Sequence, residues 1–232
     1  MSGRPAPDVV VLDIGEVVID ESRVWSVWSE LLGVSPATLM AVLGAAVSQG
    51  GDHHEAFPHV APNVDWAALE GEHEARYGGF RATDVYADVV PTLTALRADG
   101  FRVVLAGNQP LRRTEQLHRL ALPVDDIVVS EELGAEKPDL PFFSALLQRL
   151  GEPGPDRVLY VGDRVDNDVI PAAASGMSVC WLTRGPWGQL QELPEDVTPD
   201  IVLEGLGELP ELLAAWREGT LDDAADHEER ER

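Results

Sequence analysis

Five short apolar runs punctuate the chain, each closing on a polar or glycine-rich turn: Val9–Leu12, 101–106, 127–129, 158–161 and Ser178–Leu182. Their brevity and β-branched content are those of strands buried on both faces of a parallel sheet. Helical patterns lie between them, at 86–98 before the second run, 111–120 after it, 140–150 before the fourth and 171–175 after it. This alternation predicts an α/β fold with a doubly wound parallel sheet.

The stretch between the first two runs breaks the alternation. Residues 20–85 show no convincing strand pattern. Val24, Trp25, Val27, Trp28 and Leu31 form one apolar stripe, and 39–47 gives another. Asp65 is placed to cap a helix through Trp66, Leu69 and His73. The expected organisation is a core of 1–19 and 86–218 with an all-helical insertion at 20–85. The final stretch, 219–232, carries six acids, two arginines and no apolar period. It is expected to be a solvated, mobile tail.

Composition narrows the partners. At 232 residues and 44% apolar character, the chain can bury a core without disulfide or metal staples. Seventeen basic residues against 41 acidic ones leave a net charge of -24, which a nucleic-acid backbone would repel. No apolar run approaches the roughly 18–20 residues that span a bilayer, so no membrane partner is expected. The opening MSGRPAPD has no apolar signal region. Cys180 is the single cysteine and cannot close an internal disulfide, so a reducing cytoplasm is the expected location.

In an open parallel sheet, ligands bind beyond the carboxyl ends of the strands. Those ends carry Asp13, then Gly107-Asn108-Gln109, then Gly162-Asp163, and Lys137 follows the third run through SEELGAEKP. Three carboxylates (Asp13, Asp163, Asp168) and one ammonium thus converge on one edge. One Asp at a strand end is ordinarily a cap or turn residue. Several gathered together repel one another, and a hard cation such as Mg²⁺ relieves that repulsion. Lys137 is also the only lysine in the chain, against sixteen arginines. A compact point charge has been kept where a planar guanidinium is no substitute.

At these residues the chain resembles the haloacid dehalogenase-like (HAD) superfamily of hydrolases, over roughly 8–205. The motifs are VVVLDIGEVV around Asp13, VVLAGNQ ending the second run, GAEKPDLPFF around Lys137, and VLYVGDRVDNDV with Asp163 and Asp168. The resemblance implies a Rossmann-like core with a helical cap over 20–85. It further implies a Mg²⁺-dependent phosphatase of a small phosphorylated metabolite, working through an aspartyl-phosphate on Asp13. Asp163 and Asp168 would hold Mg²⁺ together with the Asp13 carboxylate and the Gly15 carbonyl. Lys137 would neutralise nucleophile and phosphoryl group, with Gly107 and Asn108 beside it at the phosphate.

Two positions depart from the phosphatase pattern. A second Asp normally stands two residues after the nucleophile as general acid and base, and here that position is Gly15. The second motif normally ends in Ser or Thr, and here it ends in Gly107, leaving Asn108 and backbone N–H groups to donate. Without the acid, phosphates with leaving groups of low pKa (anomeric, aryl or acyl) are the expected best substrates. Glu16 and Asp20 are the nearby carboxylates that could substitute, though each reads more simply as a solvated or capping side chain.

Two other functions compete with the phosphatase. One is a metal-independent 2-haloacid dehalogenase, whose fourth motif reads more like S-S-N-x-x-D than GDRVDND. The other is a catalytically impaired binding protein, suggested by Gly15 and Gly107. Elsewhere the plainer interpretations are preferred. Asp52-His53-His54 with His59 reads as an exposed loop rather than a metal site. Trp25 and Trp28 read as packing within the insertion, Trp187 as packing or a fringe of the site, and His118 as surface.

Overall fold

Along the first apolar run, Val10 and Leu12 enter one hydrophobic cluster while Val9 and Val11 enter another. This period-two division means that both faces of the strand are covered. The same division recurs at Val103/Leu105 against Val104/Ala106 and at Leu159/Val161 against Val158/Tyr160. The computed structural model describes residues 4–51 and 53–220. Six parallel strands form one sheet: β1 (Val9–Leu12), β2 (Arg102–Gly107), β3 (Asp126–Val129), β4 (Val158–Gly162), β5 (Ser178–Leu182) and β6 (Ile201–Leu203). Their order is β3-β2-β1-β4-β5-β6.

Five of these strands fall on the five apolar runs, and β6 is additional. The expected tail lies almost wholly outside the described residues, which end at Thr220. Helices Val89–Ala98 and Leu209–Glu218 cover one face of the sheet through Leu93, Leu96, Leu213 and Trp216. Helices Leu140–Arg149 and Ile170–Ala174 cover the other through Phe142, Phe143, Leu146 and Ala172. The sheet is therefore doubly wound as expected, with strand order reversing at β1.

Such a reversal leaves a crevice beyond the strand ends. Leu12 registers with Leu105 of β2 on one side and with Val161 of β4 on the other. Asp13 therefore emerges between the ends of β2 and β4, its N–H held by the Val161 carbonyl at 2.9 Å.

Between β1 and β2 the chain is helical, with helices at Ser22–Leu32, Pro36–Ser48, His53–Val60 and Glu70–Tyr77. Their apolar faces meet in a separate cluster of Trp25, Trp28, Leu39, Leu43 and Phe57, which Trp187 joins from beyond β5. Asp65 does cap, but what it caps is a short 3₁₀ turn. Its Oδ1 accepts from the Ala68 N–H at 3.3 Å, and the α-helix proper starts only at Glu70. Among the described residues no single helix is long and apolar enough to cross a membrane.

One partly buried ion pair ties the two ends of this helical stretch together. Arg23 donates to both carboxylate oxygens of Asp84 and to the carbonyls of Tyr77 and Gly79. Its guanidinium lies 4.0 Å from the centre of the Tyr77 ring. Burial works against the Asp84 carboxylate, but Arg23 outweighs it and holds the pKa below the usual range. The pair's contribution is thus complete above the ordinary Asp pKa of about 4 and is lost as pH falls below it. Asp84→Ala is expected to lower the unfolding free energy by about 2 kcal/mol at neutral pH. Urea denaturation measures this, and the difference from the parent should shrink in acid. A difference independent of pH would assign the loss to packing instead.

Candidate active site

Lys137 sits at the centre of the strand-end crevice. Its Nζ lies 2.7 Å from Asp13 Oδ1 and 2.6 Å from Asp168 Oδ1. Burial alone would push the ammonium pKa down, but the Asp13 and Asp168 carboxylates prevail and hold it well above its usual value. The centre of the buried Tyr160 ring lies 5.6 Å from Nζ. The Lys137 main chain is clamped as well. Its N–H donates to Asn108 Oδ1 and its carbonyl accepts from Asn108 Nδ2, both at 2.8 Å. Asn108, expected beside the phosphate, thus has its amide engaged in positioning Lys137.

Asp168 follows β4 on a π-helical turn at Val165–Val169. Its Oδ1 takes Lys137 and its Oδ2 accepts from the Arg164 N–H at 3.1 Å. Asp163 differs, because no protein donor reaches its carboxylate among the described residues. Oxygens of Asp13, Asp163 and Asp168 lie within 4.8 Å of one another. Burial, then the charges of Asp168 and Asp13, push the Asp163 pKa well above the carboxylate range. Burial likewise raises Asp168, to about 6, with Lys137 opposing. An all-oxygen donor set with one ammonium against three carboxylates suits a hard divalent cation.

The remaining expected residues are also placed here. Gly15 lines the same cavity, and its carbonyl accepts from the Val17 N–H at 2.6 Å. At Gly107 an added Cβ would lie 2.6 Å from Asp13 Oδ1. The Asp13 carboxylate therefore fills the room that a Ser or Thr side chain would need.

The cavity holds about 510 Å³. One wall is a single helix face, Glu21, Val24, Trp25 and Trp28, with Trp187 beside it. The tryptophans both pack and line. Trp25 lies 5.9 Å from Trp187, and Trp28 stacks on His73 at 4.4 Å. Of the three carboxylates following Gly15, Glu16 also lines the cavity, but it and Asp20 already accept protein hydrogen bonds. Glu16, held in the left-handed region at φ 51, accepts from the Tyr86 hydroxyl at 2.6 Å and from the Glu21 N–H at 3.2 Å. Asp20 accepts from the Ser22 N–H at 2.8 Å. Glu21 faces the cavity, where burial and the neighbouring Glu16 and Asp13 charges push its pKa up to about 8.

Glu21 is the residue that sequence reasoning missed. The signal was available, since 21, 24, 25 and 28 share one helix face at i, i+3, i+4 and i+7. The ordinary interpretation suits His54, His59 and His118. His54 stacks on Trp66 at 4.7 Å, His59 bonds the Glu55 carbonyl at 2.7 Å, and His118 is exposed. Asp52 and the His53 side chain lie outside the described residues.

Comparison with known proteins agrees with this geometry. The sequence pattern of the haloacid dehalogenase-like hydrolases matches residues 7–176. A glyceraldehyde 3-phosphate phosphatase of Methanopyrus kandleri is 32% identical over 151 residues, 64% of this chain and 63% of that protein. The pyrimidine 5'-nucleotidase YjjG of Escherichia coli is 31% identical over 126 residues, 53% of this chain and 54% of that one. The chain thus spans less than two thirds of the length of either relative. The L-2-haloacid dehalogenase of Xanthobacter autotrophicus superposes with a TM-score of 0.66 at 17% identity, covering 90% of this chain and 98% of that one. Proteins named for phosphate and for halide chemistry thus share this fold, and the fold does not choose between the reactions. With its motifs at the strand ends and that pattern matched over most of its length, the chain belongs to the haloacid dehalogenase-like hydrolase family.

Proposed function

We propose that the protein is a Mg²⁺-dependent phosphatase of small phosphorylated metabolites, with Asp13 as its nucleophile. The observation that carries this is the charge balance at Lys137, where one buried ammonium answers three carboxylates gathered within 4.8 Å. Asp13, Asp163 and the Gly15 carbonyl would hold Mg²⁺, with Asp168 adjoining. Bound there, the ion supplies the positive charge that lets a phosphate dianion approach carboxylates and that stabilises the transferring group.

The chain's own residues supply the rest. Asp13 attacks phosphorus and forms an aspartyl-phosphate, which divides one difficult displacement into two. Lys137 pairs with the Asp13 carboxylate and meets the phosphoryl oxygens, held in place by Asp168 and the Asn108 clamp. The backbone N–H beyond Gly107 is offered as a further donor to the phosphate. Residues 20–85 act as a cap, with Val24, Trp25 and Trp28 closing over the substrate and excluding water. The phosphatase and nucleotidase names of the relatives support phosphoryl transfer. A buried Asp163 without a protein donor weighs against the metal-independent dehalogenase.

Asp13→Asn is nearly isosteric and should leave the fold intact while lowering kcat by more than about 10³-fold. The assay is a panel of phosphorylated metabolites with and without Mg²⁺. Chloride release from a 2-haloacid without added metal, and no phosphate release, would establish the dehalogenase in its place.

Millimolar Mg²⁺ should raise the melting temperature of the wild type by mass action, and Asp163→Ala should abolish that increment. A wild-type melting temperature indifferent to Mg²⁺ would remove the ion from the scheme.

Lys137→Met leaves Asp13 and Asp168 buried without their counter-ion, at an expected cost of about 3–5 kcal/mol near pH 7. Part of this should return as pH falls, because carboxylates stripped of a cation bind protons more readily in the folded state. A loss of equal size at every pH would mean that Lys137 contributes packing alone.

A further inference from the structure

Position 15 has no side chain, yet the space beside it is filled. A Cβ built on Gly15 would lie 2.7 Å from Glu21 Oε1 and 3.0 Å from Glu21 Cδ. The Glu21 carboxyl therefore stands where a carboxyl two residues after Asp13 would project. It does so on the wall of the cavity that Asp13, Lys137 and Asp163 also line. We propose that Glu21, reaching the cavity from the Ser22–Leu32 helix, is a catalytic residue that carries the leaving-group proton. The proposal rests on the phosphoryl transfer assigned to Asp13.

Elimination among the loop carboxylates leads to the same residue. Glu16 is bound by Tyr86 and by the Glu21 N–H, and Asp20 caps Ser22. No protein donor reaches the Glu21 carboxyl among the described residues. Its main chain, by contrast, is fixed on both sides, with its N–H on Glu16 Oε1 and its carbonyl accepting from Trp25 at 3.2 Å. The side chain is thus aimed by a rigid backbone and left available at its tip. Asp13, Glu16, Asp20 and Arg164 are the charged groups around it.

The chemistry balances. In the first step the bond from an Asp13 oxygen to phosphorus forms and the bond from phosphorus to the leaving oxygen breaks. The Glu21 carboxyl gives its proton to that departing oxygen. In the second step water attacks phosphorus, one of its protons passes to the Glu21 carboxylate, and the bond from phosphorus to Asp13 breaks. Ester and water become alcohol and phosphate, and both carboxyl groups return to their starting states. The restriction to leaving groups of low pKa, expected from Gly15, is thereby lifted.

The test is a series of phosphate monoesters of graded leaving-group pKa, from 4-nitrophenyl phosphate to simple alkyl phosphates, compared by kcat/KM. Wild type should show a shallow dependence. Glu21→Gln, isosteric and uncharged, should steepen it, losing about 10²–10⁴-fold on alkyl phosphates and far less on the aryl ester. It should also show a burst of 4-nitrophenolate, because hydrolysis of the aspartyl-phosphate loses its base. Gly15→Asp placed in a Glu21→Ala background, where the side chain its Cβ would meet is gone, should recover part of the alkyl rate that Glu21→Ala alone loses. Parallel loss across the whole series, or a steep wild-type series that Glu21→Gln leaves unchanged, would overturn the role of Glu21 while leaving the phosphatase intact. Absence of turnover even on 4-nitrophenyl phosphate would overturn the phosphatase, and the role of Glu21 with it.

Discussion

A buried ammonium between two carboxylates sets the terms for the rest of this molecule. Lys137 is 4% exposed and Asp168 0%. Taking such charges out of water costs several kcal/mol per ion, recovered only if geometry and hydrogen bonding are good. Each partner therefore carries a second attachment: Asn108 on the Lys137 main chain, the Arg164 N–H on Asp168, and the Val161 carbonyl on the Asp13 N–H. Those attachments come from the ends of β2 and β4. Sheet register and charge balance are consequently one problem, because a slipped strand would strand a charge.

The sheet solves half of that problem and the helical stretch the other half. Reversal of strand order at β1 opens the crevice, and Asp13 leads directly from it into a tightly folded loop. Within that loop the Val18 and Ile19 N–H groups both return to the Ile14 carbonyl. Glu16 then anchors the start of the next helix through the Glu21 N–H. At the far end, Arg23 and Asp84 bring the exit of the helical stretch back beside its entrance. The wall of tryptophans is thus located by polar contacts at both ends and by Trp187 in the middle.

Much of this was legible in the sequence, and the omissions have identifiable causes. Apolar runs buried on both faces announce themselves, which is why β1 to β5 were found. β6 has three residues, and Val202 is 53% exposed at the sheet edge, so no run of that kind could form. The strand-end residues were found because the fold rule says where to look. Asn108 lay at the right place, but sequence alone could not tell that its amide would turn onto Lys137. Periodicity placed Trp25 and Trp28 on one face without saying what that face meets. Glu21 is not marked by sequence proximity, since Glu16 and Asp20 lie nearer to Asp13 along the chain. A helix starting at Ser22 turns the chain so that the more distant carboxylate comes closer to the vacancy.

The helix face that bears Glu21 also bears Val24, Trp25 and Trp28, and this ties two properties that evolution could otherwise alter separately. If the proton donor sits on the element that chooses the substrate, a change in that helix moves both together. A swapped or remodelled helical stretch would then bring in not only a new shape for the leaving group but also a new donor, or none. Gly15 keeps the second option open, since a side chain there and the present Glu21 rotamer compete for the same volume. With Glu21 in its proposed role, a single exchange at position 15 would pass the proton from one address to the other and leave the helical stretch free to diverge.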